Sequence, residues 1–363
     1  MDKNIRDVRQ QEFAEQWLNS KRFSIMYLAP RFGKIYCTIN ILEQLNPHCT
    51  ILIVYPDNKI RHSWEEDFKK RGYDDCDVVY TTYLSLHKWI EKFDIIILDE
   101  CHTISPAQIE VCKNLFETNK AKLQVIALTG TLSRETKNTL WNELKLPILA
   151  TYSIEQAIEE GVIADYEISV IKVPLDNRII QLFGTKRKTE KQRWDNLVWI
   201  VKKKDEEEEP TFFLKLMMIK VLQNSIAKLN KTKELIQKYK DERVLIFCGL
   251  TKIADSLGIP SYHSKSTEKK LFEDFASGIG NHLAVVKIGN TGVLYKPLDK
   301  VIINYTDSNS ENLSQKILRC MNFEYNNPEK IAKIFLISSN EKIELDWTNK
   351  ALSMFSKDKI KYL

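Results

Sequence analysis

Short runs of aliphatic and β-branched residues alternate with stretches of helical spacing through the first half of the chain. Phe23-Ser-Ile-Met-Tyr-Leu28 reads as a strand, Tyr36 to Gln44 as a helix, and Thr50-Ile-Leu-Ile-Val-Tyr55 as a strand that stops at Pro56. A helix to about Arg71, a strand at Asp77-Val-Val-Tyr80, a helix near Leu84–Lys92 and the run Asp94-Ile-Ile-Ile-Leu98 follow. Pro106–Glu117 is patterned as a helix and Gln124-Val-Ile-Ala-Leu128 as a strand. Strands with no polar alternation, separated by helices, are buried on both faces. That is the pattern of a parallel sheet covered on both sides.

The same rhythm returns near the end. Arg243-Val-Leu-Ile-Phe-Cys248, Leu283-Ala-Val-Val286, Lys300-Val-Ile-Ile-Asn304 and Ala332-Lys-Ile-Phe-Leu-Ile337 are four further strands, and Tyr166-Glu-Ile-Ser-Val-Ile-Lys-Val173 opens their sheet. Residues 178–240 carry no strand pattern. They hold a basic cluster (Lys186-Arg-Lys188), an acidic run (Asp205 to Glu209) and one long helical pattern from Phe212 to Lys240. This stretch reads as a helical insertion, its charge runs as solvated surface. Trp64, Trp89 and Trp141 fall on helical patterns and read as core rather than as base-stacking platforms.

A length of 363 residues supports more than one domain, and 43% hydrophobic with 28% charged residues is a globular composition that supplies a core. No apolar run approaches the roughly 20 residues that span a bilayer, and the charged start MDKNIRDVRQQEF has no signal-peptide core. The expectation is a cytoplasmic protein that meets no membrane. Seven cysteines form no CxxC pair, so neither a disulfide frame nor a zinc site is expected. Cys101 and Cys320 have no base nearby in sequence and are not read as nucleophiles. The net charge of +5 permits a nucleic-acid partner without arguing for one.

Chemistry concentrates at three strand ends. Asp99-Glu100-Cys101-His102 follows Ile95–Leu98, which places two carboxylates at the carboxyl edge of a parallel sheet, where such folds bind ligands. In nucleotide hydrolases the first holds magnesium and the second orients the attacking water. Leu28-Ala-Pro-Arg31-Phe32-Gly33-Lys34-Ile35 lies between a strand and a helix and keeps the Gly-Lys of a phosphate loop, whose lysine reaches phosphate oxygens. Leu128-Thr129-Gly130-Thr131 ends a third strand.

Taken together, these contexts resemble superfamily 2 helicases of the DExH-box type. Residues 28–35 look like motif I, Val54-Tyr-Pro56 through Arg61 and Trp64 like motif Ia, Thr81-Thr82-Tyr83 like motif Ib, Asp99–His102 like motif II and Thr129–Thr131 like motif III. Val8-Arg-Gln10-Gln11-Glu-Phe-Ala14 resembles the adenine-contacting glutamine motif, with Gln10 and Gln11 both open. Val244–Cys248 resembles motif IV, Asn290-Thr-Gly292 with Pro297-Leu-Asp299 motif V, and Asn312 through Gln315 to Arg319 motif VI. The closing Trp347 and Lys350-Ala-Leu352 look most like compact phage-type DNA helicases.

The resemblance implies an α/β fold of two RecA-like parallel-sheet domains in tandem, over 1–160 and 161–363, with the 178–240 insertion in the second. It implies ATP and magnesium as cofactors, ATP lying between the lobes. Lys34, Asp99, Glu100 and Arg319 would be catalytic, with Asp99 the metal carboxylate. Gln10, Gln11, Arg31, Phe32, Gly33, Ile35, Gly292 and Gln315 would bind the nucleotide. His102, Thr129, Gly130 and Thr131 would couple hydrolysis to grip, and Pro56, Arg61, Thr81, Thr82 and Lys265 would contact nucleic acid. Single-stranded or forked DNA is the preferred partner, RNA the alternative, and replication or recombination proteins are further candidates. Three departures touch ATP: Ile35 replaces the hydroxyl residue, Arg31 a glycine, and motif VI has Leu318 and Asn322 in place of glycine and the second arginine. They leave two classes open, a motor and a helicase fold that binds nucleic acid with weak or no hydrolysis. A nucleotide hydrolase indifferent to nucleic acid is the third reading.

Overall fold

The computed structural model describes the chain apart from residues 1–3, 46–48, 74–76, 90, 121, 184–185, 267–268, 287–294, 296, 307 and 325–326. It divides into two compact units, Met1–Ile163 and Ala164–Leu363. Among the described residues no helix is long and apolar enough to cross a membrane.

In the first unit the strands are β1 (Phe23–Leu28), β2 (Thr50–Tyr55), β3 (Asp77–Thr82), β4 (Ile95–Leu98), β5 (Gln124–Thr129) and β6 (Ile148–Tyr152). They form one sheet in the order β3-β2-β4-β5-β1-β6, every described pairing parallel. The helices are α1 (Ile5–Leu18), α2 (Lys34–Leu42), α3 (Lys59–Arg71), α4 (Pro106–Thr118), α5 (Arg134–Leu144) and α6 (Ile154–Glu159). Local chemistry sets their ends. Ser105 and Gln108 close a capping box with Pro106 inside it, and Gly72 ends α3 at φ +64°, a backbone that favours glycine. All four residues of β4 are buried, each removing apolar surface worth roughly 1.5–3 kcal/mol from water.

The second unit runs β7 (Asp165–Val173), β8 (Gln181–Phe183), β9 (Lys186–Lys188), α7 (Glu190–Glu206), α8 (Phe212–Gln223), α9 (Ile226–Lys238), β10 (Val244–Phe247), α10 (Thr251–Asp255), β11 (Ser261–Tyr262), α11 (Lys269–Ser277), β12 (His282–Val285), β13 (Lys300–Ile303), α12 (Ser310–Ile317), β14 (Ile331–Ser339), α13 (Lys342–Leu352) and β15 (Ile360–Tyr362). Its parallel sheet has the order β11-β12-β10-β13-β14-β7-β15.

Four local expectations are corrected. The helix near Leu84–Lys92 is a 3-10 turn over Tyr83–Lys88, opened by the Thr82 side chain. The single helix from Phe212 to Lys240 is two, because Ser225 caps α9 at its Lys228 N–H and the Asn224 amide turns back to the Lys220 carbonyl. The stretch read as strandless holds the antiparallel hairpin β8–β9. Trp141 is exposed rather than core, whereas Trp64 is fully buried.

Within 178–240 the helices differ in what they cover. Trp194, Leu197 and Val201 of α7 pack with Met218, Val221 and Leu222 of α8 into a small core of their own, joined by Leu175. Helix α9 instead lays Leu235 onto the cluster beneath β10 and β14, as a crossover helix does. Glu190 at the start of α7 accepts from the Ile226 N–H at 2.8 Å and so caps α9.

Beneath α9 and α13 lies an ion pair, Lys228 with Glu344, both almost wholly buried. Glu344 also accepts from the Thr306 hydroxyl at 2.7 Å and the Ser339 N–H at 2.9 Å. Removing one partner of a buried pair strands a charge in low dielectric. Lys228→Met is therefore expected to lower the unfolding free energy by about 3–5 kcal/mol in urea denaturation, with the Lys228→Met/Glu344→Met double variant recovering part of the loss.

Candidate active site

Three adjacent parallel strands build the site. β1 pairs with β5 and β5 with β4, so their carboxyl ends lie side by side and present Gly33-Lys34, Thr129–Thr131 and Asp99-Glu100 at one edge. Gly33 caps α2 at φ +93°, and a Cβ there would stand 2.5 Å from the Gln10 side-chain nitrogen. The left-handed backbone favours glycine, and a methyl there would displace the Gln10 amide. Arg31 also has a left-handed backbone, φ +68°, at the position where a glycine was expected.

Helix α1, which the sequence pattern did not signal, decides between the two glutamines. Phe13, Ala14 and Trp17 bury one face, and the Trp17 indole donates to the Val125 carbonyl at 3.3 Å. Gln10 thereby comes onto the loop and donates to the Phe32 carbonyl at 2.8 Å and the Gly33 carbonyl at 3.4 Å. Gln11 instead donates to Glu15 on the exposed side, so of the two glutamines Gln10 is the one set against the loop: one step along a helix turns a side chain about 100°.

Lys34 Nζ lies 3.5 Å from Glu100 Oε1. Gly130 makes room for that ammonium, since a Cβ there would sit 3.1 Å from it. Glu100 is itself held at φ +47°, a strained position that turns β4 into the 3-10 turn Cys101–Thr103. Its second oxygen is 3.4 Å from His102 Nδ1, and that nitrogen is 2.8 Å from the Thr129 hydroxyl. The Thr129 hydroxyl hydrogen goes to the Thr131 carbonyl, so Nδ1–H is the donor to Thr129. His102 Nε2 and Thr131 Oγ1 are buried without a partner among the described residues.

Asp99 is 5% exposed. Its Oδ2 accepts from the Trp64 indole at 2.9 Å and its Oδ1 from the Glu100 N–H at 2.9 Å, while the Tyr83 hydroxyl donates to its carbonyl at 2.8 Å. Burial and the neighbouring Glu100 push Asp99 up to about 6. Burial also works against Glu100, but Lys34 and His102 hold its carboxyl below the ordinary glutamate range. The pair thus divides: Lys34 and His102 favour the ionised Glu100, while burial and the Glu100 charge hold Asp99 above the ordinary aspartate range.

Thr81 is buried at the end of β3, and Thr82, Pro56 and exposed Arg61 lie on the same edge of the sheet, with Arg61 over the Tyr80 ring at 5.2 Å. In the second unit Lys265 is exposed, Gln315 half-buried on α12, and Arg319 6% exposed in the turn Leu318–Cys320. Asn322 donates to the Tyr295 carbonyl at 3.3 Å. Asn290-Thr-Gly292 lies outside the described residues, whereas Pro297-Leu-Asp299 of the same motif is described. Sequence reasoning missed Trp64 and Tyr83 as partners of Asp99. The Trp in the helix after a motif Ia-like strand was the available signal, and it was read as core.

A lysine and paired carboxylates at the ends of parallel strands are the arrangement that nucleotide hydrolases use. Residues 11–139 match the DEAD/DEAH box helicase family model. The DNA 3'-5' translocase XPB2 of Sulfurisphaera tokodaii is 27% identical over 280 residues, 69% of this chain and 61% of that relative. The chain thus spans about three-fifths of the length of the curated relative it matches. Dbp5 of S. cerevisiae, solved bound to RNA and ADP BeF3, is similar with a TM-score of 0.62 at 12% identity, over 98% of this chain and 89% of that one. The Hef helicase domain of Pyrococcus furiosus gives 0.52 at 11% identity, over 95% and 97%. The first unit thus carries a match to the DEAD/DEAH box helicase domain, and the solved structures share the tandem RecA-like fold.

Gly33→Ala is expected to weaken binding of a fluorescent ATP analogue, since a left-handed alanine alone costs roughly 1–2 kcal/mol and its methyl displaces Gln10. Gln10→Ala weakens it too, and Gln11→Ala leaves it unchanged in the same titration.

Proposed function

We propose that the chain is an ATP-dependent nucleic-acid helicase or translocase of the DExH-box, phage-like type, with single-stranded or forked DNA preferred over RNA. The observation that carries this reading is Lys34 beside an ionised Glu100 and next to Asp99, at the carboxyl edge of a parallel sheet. XPB2 is described as a DNA translocase, which supports DNA; Dbp5 was solved with RNA, which keeps RNA as the alternative.

Magnesium fits Asp99. Each carboxylate oxygen accepts one hydrogen bond from a neutral donor and keeps a lone pair, although Ile35 adds no oxygen beside it. A single carboxylate with several waters is an ordinary magnesium environment. Bound there, the ion would neutralise charge on the phosphates.

The chain's own groups do the rest. The amides that open α2 and the Lys34 ammonium attract the phosphates, as a helix N-terminus and a nearby cation do. Glu100, kept ionised by Lys34, orients the attacking water and accepts its proton. His102 and Thr129 tie Glu100 to the Thr129–Thr131 turn, so that movement of that turn reaches the water-orienting carboxylate. Arg319 is assigned to the transferring phosphoryl, Gln315 to the nucleotide, and Pro56, Arg61, Thr81, Thr82 and Lys265 to the nucleic-acid backbone. A grip on phosphates gives little sequence preference and a strong salt dependence.

Ile35 and Asn322 favour a second reading, a helicase fold that binds without turnover. ATP hydrolysis with and without single-stranded DNA, beside a Glu100→Gln control, separates the two. Turnover that rises with DNA and vanishes in the control supports the motor; DNA binding with turnover no higher than the control overturns it. Asn322→Arg is expected to raise the rate toward the roughly 10³-fold that an arginine finger supplies, and an unchanged rate would remove the missing finger as the reason for slow hydrolysis.

A further inference from the structure

The groups that aim Asp99 come from the two segments that form the outer groove of the first unit. Trp64 is on α3 and fully buried, with its ring edge-on to Phe68 at 5.6 Å. Tyr83, 3% exposed, opens the 3-10 turn after β3. A groove of about 340 Å³ is lined by residues from the same segments, among them Asn58, Tyr80, Thr81, Thr82, Ser85 and Lys88. Asn58 immediately precedes α3, and Tyr80 to Thr82 end β3. The groove walls and the donors to Asp99 therefore belong to the same short stretches of chain.

We propose that Trp64 and Tyr83 are positioning residues that aim the Asp99 carboxylate and make its pose depend on the groove walls. The proposal rests on the reading of Asp99 as the metal carboxylate. Its physical basis is the neutrality of the donors. A lysine or arginine at position 64 would form a stronger bond to Oδ2, but would repel the cation that Asp99 is to hold. An indole N–H orients the carboxylate and leaves its charge free. With the Glu100 N–H on the other oxygen, two neutral donors fix the carboxylate plane, and the Tyr83 hydroxyl fixes the backbone that carries it. Arg61, one turn before Trp64, lies over Tyr80, so α3 and the end of β3 are tied on the groove side as well. A backbone strand seated in the groove would press on the start of α3 and the end of β3 together, and the Trp64 and Tyr83 hydrogen bonds to Asp99 start from α3 and from the turn that follows β3.

Trp64→Phe and Tyr83→Phe each remove one donor and keep a ring in the core. In the full chain, binding of a fluorescent ATP analogue is titrated with magnesium and repeated in EDTA, beside binding of a fluorescent single-stranded oligonucleotide. Trp64→Phe is expected to raise the magnesium concentration for half-maximal effect about tenfold, the scale of one hydrogen bond to a charged group. Binding in EDTA and binding of the oligonucleotide stay as in the wild type, and stimulation of hydrolysis by the oligonucleotide falls. An unshifted magnesium dependence overturns the proposal, and so does an equal loss of binding in EDTA, which marks a structural role alone. Nucleotide binding in the wild type that is indifferent to magnesium also overturns it. A wild type that binds nucleotide with magnesium but never turns it over sinks the motor reading, while the magnesium titration still decides the roles of Trp64 and Tyr83. Should Trp64→Phe melt early, Tyr83→Phe gives the same readout with the core ring in place.

Discussion

Parallel pairing of β1, β5 and β4 is the constraint on which the site depends. Strands that run the same way in register finish together, so three segments far apart in the chain deliver Lys34, Thr129 and Glu100 to one edge. Nothing in the individual loops would assemble them. The Ile95–Leu98 run, buried on both faces, locks one side of this arrangement: a strand of that composition has no solvent-facing side to slip toward. The loops that follow are then free to adopt strained backbones, at Arg31 and at Glu100, because the sheet beneath over-determines where they begin.

The electrostatics follow from that placement. Two carboxylates side by side in a low-dielectric edge cannot both ionise easily, and Lys34 favours one of them. Asp99 is left with neutral donors only, from Trp64 and from the Glu100 backbone. The second unit handles buried charge differently. Lys228 and Glu344 neutralise each other with Thr306 and Ser339 completing the shell, and nothing in that arrangement calls for a ligand. Contrast between the two clusters separates a poised site from a structural one. In the first, polar atoms such as His102 Nε2 and Thr131 Oγ1 stay without partners among the described residues.

Legibility in the sequence tracked how local the determining physics is. Continuous apolar runs such as Thr50–Tyr55 and Val244–Phe247 became strands with nearly the residues their pattern indicates, because burial on both faces leaves a mark in every residue. Helix α1 left little pattern, since its short apolar face of Phe13, Ala14 and Trp17 sits among charges. The break at Asn224–Ser225 was invisible to periodicity, because a cap residue can also sit inside a helix and only the side-chain bond distinguishes the two. Trp141 and Trp64 share a helical context, yet one is exposed and the other buried; which face of a helix meets the sheet is a tertiary matter.

The sequence by itself determined the alternation of strands and helices, the parallel character of both sheets, and the residue types of the site: Gly-Lys, Asp-Glu and Thr-Gly-Thr, each at a strand end. These are properties of segments, written in local composition and spacing. Tertiary structure alone decided that Gln10 rather than Gln11 braces the phosphate loop, that Gly130 leaves room for the Lys34 ammonium, and that Trp64 spends its indole on Asp99. It also decided that α9 serves the sheet while α7 and α8 keep a core of their own. The physical reason is the same in each case. Hydrogen bonds and close contacts depend on distances of a few tenths of an ångström between residues remote in the chain, and no one-dimensional pattern records those distances.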